Sequence, residues 1–185
     1  MAADIAADIA ADIAADRAGD FDLVVVGGGP AGATAALEAV RRGLRVAMLD
    51  RAGRIKPCGG AIPPRLLRDF DVPESLLAAR ARCARMVSPA GRCVDIPIEG
   101  GCVGLVDREV FDEWLRERAA AAGVQRITGR FRRLGRAADG RREVHAEGGD
   151  DGRGIVLRAR CVVGADGAHS AVARQAMPEA AARGR

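Results

Sequence analysis

Six consecutive residues, Gly27-Gly28-Gly29-Pro30-Ala31-Gly32, have the spacing G-x-G-x-x-G. In a dinucleotide-binding turn each glycine has its own work. Gly27 permits the tight turn, Gly29 lets the backbone approach a pyrophosphate, and Gly32 lets the following helix pack closely on the strand. The start of that helix, at Ala31, offers unpaired N–H groups and a positive dipole end to phosphate oxygens. Asp50 stands eighteen residues beyond Gly32 and is placed to accept hydrogen bonds from an adenosine ribose. A carboxylate there disfavours a 2′-phosphate, so the expected ligand is FAD or NAD rather than NADP.

A glycine-rich turn alone is weak evidence, and its meaning depends on the elements around it. Leu23–Val26 is a short unbroken apolar run, as in a strand buried on both faces. Ala31–Arg42 is rich in helix formers, Gly43 ends the helix, and Arg45–Leu49 is a second apolar run. Strand, turn, helix, strand and acid therefore fall in the order a βαβ dinucleotide site requires.

Downstream, residues 51–64 read as loop because of Gly53, Pro57, Gly59, Gly60, Pro63 and Pro64. A short helix is expected near Pro73–Ala79. Cys83–Ser88 and Arg92–Ile96 read as a hairpin joined through Pro89-Ala90-Gly91, and Val103–Val106 as a further strand. Asp107 is a good N-cap for a helix to about Ala122, with Gly123 as its stop. Strands are expected at Val124–Leu134, Glu143–Ala146 and Ile155–Ala159. A separate buried strand, Cys161–Gly164, then leads through Ala165-Asp166-Gly167 into a helical stretch from Ser170. The sum is an α/β fold with a parallel sheet and an antiparallel β insertion. Residues 1–20, with their repeated Ala-Ala-Asp-Ile, form a low-complexity tail read as transient helix. The folded domain is expected over 21–177 and a patternless tail over 178–185.

Cys161-Val162-Val163-Gly164-Ala165-Asp166-Gly167 resembles the Gly-Ala-Asp-Gly segment of the FAD-dependent hydroxylase and geranylgeranyl reductase superfamily. Arg108 with Phe111, Asp112 and Leu115 resembles its Arg-x-x-Phe-Asp-x-x-Leu pattern. Lys56-Pro57-Cys58-Gly59-Gly60-Ala61-Ile62-Pro63 is similar to a segment of geranylgeranyl reductases, and Asp50-Arg51-Ala52-Gly53 reads like their chlorophyll-pathway branch. The resemblance runs from about Phe21 to Met177. It implies a Rossmann-like FAD-binding fold in which Asp166 and Gly167 meet the flavin ribityl chain. It also implies that Arg51 and Arg108 belong to the FAD site, Arg108 through phosphate or ribose, and that Cys58 lies near the flavin and the prenyl path. A buried, inert thiol is the competing reading of Cys58.

The implied activity is NADPH-driven, FAD-dependent saturation of a geranylgeranyl chain, carried by the diphosphate or by (bacterio)chlorophyll, to phytyl. Asp50 does not conflict with NADPH, because it belongs to the FAD site. Unpaired cysteines make the cytoplasm the expected compartment, and such a long apolar substrate suggests peripheral contact with a photosynthetic membrane. The chain spans roughly half of a full family member and is expected to lack most of the prenyl pocket. An aromatic-ring flavin monooxygenase shares the glycine turn and the Asp-Gly pair, although Cys58-Gly59-Gly60 counts against it. A non-catalytic FAD-binding fragment is the other alternative.

Composition excludes several classes. The net charge is +4, but the 29 basic residues are scattered among acids, as in Arg116-Glu117-Arg118, and Lys56 is the sole lysine. With 3% aromatic residues there is no stacking platform, so nucleic acid is not an expected partner. Five cysteines without a C-x-x-C pair indicate neither a zinc site nor a disulfide framework. His145 and His169 lack a matching acid or nucleophile pattern and read as structural or surface residues.

Overall fold

The computed structural model describes residues 20–51, 58–148 and 153–179. The repeat tail over 1–19, the stretch Ala52–Pro57 with Lys56, and residues 180–185 of the expected C-terminal tail lie outside the described residues. Two compact units are present: one comprises residues 1–53 and 115–185, the other residues 54–114.

The first unit is built on β1 (Asp20–Val26), α1 (Pro30–Arg41) and β2 (Val46–Asp50). β1 pairs in parallel with β2, Val26 opposite Leu49. α1 packs on both strands through Ala33, Ala36 and Leu37, which are buried on one face. Pro30 at the first helical position lacks only an N–H that the helix would leave unpaired, so it starts α1 without cost to the ladder.

Three more strands complete the sheet: β8 (Gln125–Arg136), β9 (Arg142–Gly148) and β10 (Arg153–Gly164). The order β1-β10-β9-β8-β2 closes on itself. Closure follows from two long strands with double duty. The first part of β8 runs parallel to β2, Ala47 opposite Gln125, and its remainder runs antiparallel to β9. β10 likewise pairs antiparallel with β9 up to Ala159 and parallel with β1 from Arg158 onward. Ile155–Ala159 and Cys161–Gly164 are thus one continuous strand, not the two that the sequence pattern suggests. Nor is its end fully buried: Cys161 and Gly164 are exposed, and Val162 and Val163 are half-buried.

Alternate residues of these strands converge on one core of Phe21, Val24, Val26, Ala47, Leu49, Val144, Ala146, Leu157, Ala159 and Val172. Val172 comes from α4 (Ala171–Ala176), which Ser170 caps by accepting from Ala173 N at 2.8 Å. Gln175 ties α4 to β8: its side-chain oxygen accepts from Leu134 N and its nitrogen donates to Arg132 O. Arg132 lies within the irregularity between Phe131 and Arg133 in the β8–β9 ladder, and Leu134 lies just past it.

The second unit holds a short sheet of β3 (Ala61–Ile62), β7 (Val103–Val106) and β4 (Leu77–Ala81), in the order β3-β7-β4. It also holds the hairpin of β5 (Cys83–Val87) and β6 (Cys93–Pro97), close to expectation. A helix, α2 (Pro64–Asp69), occupies a stretch beginning at the end of the expected loop. The helix expected near Pro73–Ala79 is instead a 3₁₀ turn at Glu74–Leu76 that passes into β4. Pairing of Leu77–Ala81 with β7 overrides the helical preference of Leu and Ala. The unit boundary falls within α3 (Arg108–Ala121), whose buried residues Phe111, Leu115 and Ala119 recur at four-residue spacing along one face.

Leu49 is 1% exposed at the centre of the strand core. Leu49→Ala is expected to destabilise the chain by about 2–5 kcal/mol through lost burial and a residual cavity, read as a lower urea midpoint with an unchanged slope.

Candidate dinucleotide site

Because β1, β2 and β10 run parallel where they pair, their carboxyl ends lie at one sheet edge. That edge brings together the Gly27–Gly32 turn after β1, Asp50 at the end of β2 and Ala165-Asp166-Gly167 after β10. The ladder continues into the turns: Gly27 N donates to Leu49 O and Ala165 N to Val26 O, both at 2.8 Å. Gly27 has φ +109°, and a Cβ added there would lie 2.4 Å from Ala165 O. At Gly32 an added Cβ would be 1.8 Å from Gly27 O. Both positions exclude any side chain, and both hold the two turns against each other.

Gly29 differs, since a Cβ there would meet nothing within 4 Å. It precedes Pro30 at the start of α1, where no side chain caps the helix and Ala31 is exposed. The backbone donors of the first turn therefore face open space, the environment a pyrophosphate needs. Gly28, at the position the fingerprint leaves free, is constrained by the acid: an added Cβ would lie 2.6 Å from Asp50 Oδ2. Asp50 Oδ1 accepts from Arg51 N at 2.8 Å. Gly-rich backbone, open helix terminus and the carboxylate of Asp50 at the end of β2 together fit an adenine dinucleotide such as FAD.

Asp166 is already occupied within the protein. Its carboxylate accepts from Ser170 Oγ, from Ala171 N at 2.6 Å and from Val172 N at 3.3 Å, so it caps α4 from outside. A carboxylate has about four lone-pair sites, which leaves acceptor capacity for a ligand. Gly167 follows with φ +94° and is exposed.

Arg116 had no distinguishing sequence signal, yet it reaches this edge from α3. Its Nη1 donates to Gly28 O at 3.2 Å and lies 3.7 Å from Asp50 Oδ2. Its contacts join segments far apart in the chain, which a residue-by-residue pattern does not expose.

In the second unit, Arg108 is held by Asp112 through Nε and Nη2, at 2.9 and 2.7 Å. The pair is largely buried, with side chains 13% and 7% exposed. The Asp112 carboxylate raises the Arg108 pKa above its usual value, against the opposing effect of desolvation, and Cys58 is a further hydrogen-bonding partner. Cys58 is exposed rather than buried. Gly60 explains part of the Cys58-Gly59-Gly60 segment, because at φ +67° an added Cβ would lie 2.0 Å from Val106 O. Val106 N donates to Gly60 O, so the segment is pinned to β7.

His145 does have an acid neighbour, Glu143 at 3.1 Å, and its other ring nitrogen lies 3.2 Å from Arg133. This group belongs to the β8–β9 ladder rather than to the carboxyl edge. His169 is exposed, and its backbone carbonyl accepts from Arg174. Among the described residues no His, Cys, Asp and Glu cluster could hold a metal ion, and no helix is long and apolar enough to cross a membrane.

The fold and the carboxyl-edge turns define an FAD-binding oxidoreductase class. The chain belongs to the pyridine nucleotide-disulphide oxidoreductase family, whose model matches residues 21–183. More specifically, it is 59% identical over 152 residues to the geranylgeranyl diphosphate reductase of Rhodobacter capsulatus, covering 82% of this chain and 39% of that protein. It is 35% identical over 163 residues to a digeranylgeranylglycerophospholipid reductase of Methanococcoides burtonii, covering 84% and 40%. Among solved structures, a geranylgeranyl bacteriochlorophyll reductase-like protein from Thermoplasma acidophilum superposes with a TM-score of 0.76 at 26% identity, covering 85% of this chain and 42% of that one. The chain thus spans about two fifths of the length of these relatives.

Two substitutions probe the geometry. Gly28→Ala is expected to weaken FAD binding by about tenfold or more, the scale of a hydrogen bond to a charged group, measured by quenching of flavin fluorescence. Asp112→Ala, which strands a buried guanidinium, is expected to cost about 3–5 kcal/mol. Urea unfolding should show most of that loss recovered in Arg108→Met/Asp112→Leu.

Proposed function

We propose that this chain is the FAD-binding part of a reductase that saturates double bonds of a geranylgeranyl chain with electrons from NADPH. The observation that carries the reading is the meeting of Gly27–Gly32, Asp50 and Ala165–Gly167 at one sheet edge. The 59% identity to a geranylgeranyl diphosphate reductase supports the substrate class. The archaeal relative carries a glycerophospholipid headgroup in its substrate name, so the shared chemistry is that of the prenyl chain. The acceptor proposed here is geranylgeranyl diphosphate or geranylgeranyl-bacteriochlorophyll.

Bound FAD supplies hydride-transfer chemistry, while the protein supplies binding, orientation and exclusion of competing reactions. N–H groups of the turn and of the α1 start, at Gly29, Ala31 and Gly32, hold the pyrophosphate, and Gly27 shapes the turn. Asp50 accepts from the adenosine ribose, and Arg51, whose N–H orients that carboxylate, lies beside it. Asp166 and Gly167 meet the ribityl chain, with Asp166 already oriented by its bonds to α4. Arg108 contributes its remaining donors to the FAD phosphates or ribose, and Cys58, its neighbour, borders the prenyl path. An isolated alkene is unactivated, so close positioning carries much of the catalytic demand. The proposed location is the cytoplasm, where reduced thiols are the default, with peripheral contact to a photosynthetic membrane that suits an apolar prenyl substrate.

The test is a flavin spectrum of the purified chain after addition of FAD and desalting. Near one flavin per chain is expected for the wild type. Asp166→Asn keeps an N-cap-type side chain, so it should lose flavin while unfolding within about 1 kcal/mol of the wild type. A colourless wild-type protein would sink the proposal. A flavin-loaded protein then warrants assay with NADPH and geranylgeranyl diphosphate, in which reduction would add two hydrogens per double bond saturated.

A further inference from the structure

We infer that Arg116 is a positioning residue that sets the selectivity of the dinucleotide site for an adenosine ribose with a free 2′-hydroxyl. This rests on the FAD-site reading above and adds to it a residue outside the family motifs.

Asp50 can discriminate between riboses only if its carboxylate is held in one orientation, yet the terminal torsion of an aspartate is intrinsically broad. On one side, Asp50 Oδ1 is fixed by the Arg51 N–H at 2.8 Å. On the other, Oδ2 lies against the Gly28 backbone, in the space a Cβ would fill. Arg116 closes the arrangement, with Nη1 3.2 Å from Gly28 O and 3.7 Å from Asp50 Oδ2. One guanidinium therefore joins the turn that meets the pyrophosphate to the acid that meets the ribose. The side chain is only 16% exposed, so this contact is weakly screened by water. A planar fork with donors in fixed directions suits the task better than the single ammonium of lysine.

A residue that merely ties α3 to the sheet would leave selectivity untouched, and this separates the two roles. Isothermal titration of the full chain with ADP and with 2′-deoxy-ADP gives a ratio of affinities. The wild type is expected to favour ADP by about tenfold, the scale of one hydrogen bond to a carboxylate. Asp50→Asn sets the value without the anion. Arg116→Ala and Arg116→Gln are both expected to bring the ratio below about threefold, with Arg116→Lys between them and the wild type. Arg116→Gln keeps much of the aliphatic stem, so the comparison survives poor folding of the alanine variant. Equal weakening of both probes, with the wild-type ratio retained, overturns the role of Arg116 while leaving the FAD site intact. If the wild type binds FAD but shows no preference for ADP, the ribose selectivity fails. If it binds neither ADP nor FAD, the site reading falls and this inference with it.

Discussion

The candidate site depends on one close approach, that of the Gly27 backbone to the backbone of Ala165. The two lie so near that a single methyl group at Gly27 would collide with Ala165 O. The approach extends the β1–β10 ladder beyond its last strand pair, Val26 with Gly164, through Ala165 N and Val26 O. Gly32 repeats the demand from the helix side, because its missing side chain is what allows α1 to begin on top of Gly27 O. The glycine turn, the start of α1 and the Asp-Gly segment therefore share one geometry. Widening any of these contacts would shift the uncapped start of α1 and Asp166 together.

Asp166 shows how that geometry is kept rigid before a ligand arrives. Its carboxylate receives donors from Ser170, Ala171 and Val172, while Ser170 caps α4 through Ala173 N. α4 is anchored at its other end by Gln175 on the β8 backbone, and Val172 lies in the strand core. A ligand meeting Asp166 thus meets an acceptor whose orientation is already fixed, so less ordering is needed on binding. The same economy makes replacement by alanine ambiguous, since it removes a helix cap along with the proposed ligand contact.

Much of this was legible in the sequence where local pattern and tertiary role coincide. Leu23–Val26 with Gly27–Gly32 specifies strand, turn and helix because burial, backbone freedom and helix initiation each require those residue types. β10 was less legible because it changes role along its length. Its first part alternates in burial as an antiparallel strand does, and its end reads as a buried parallel strand, so one strand looks like two. β4 was hidden by Ala and Leu, whose helical preference yields to pairing with β7. α2 was hidden by Pro63-Pro64, read as loop although proline suits the first helical turn. Arg116 had no local signal at all, since its contacts to Gly28 and Asp50 exist only after three segments have come together.

Arg108 and Asp112 stood in the sequence as members of one motif, but neither their pairing nor its burial was read from it. Removing two charges from water is costly, so such a pair rarely adds net stability over apolar residues of similar size. Its value must then lie in what it specifies. Asp112 takes Arg108 Nε and Nη2, and that bidentate contact fixes the plane of the guanidinium. Of the five donors of an arginine, those not facing Asp112 are left at a defined angle, and Cys58 is among their neighbours. An arginine free to rotate could bind an anion anywhere along its reach, whereas this one can serve only a ligand presented from one direction. Asp112 therefore does for Arg108 what Arg51 N–H and Arg116 do for Asp50. In both units, a charged group is first oriented by a protein partner and retains capacity for something else.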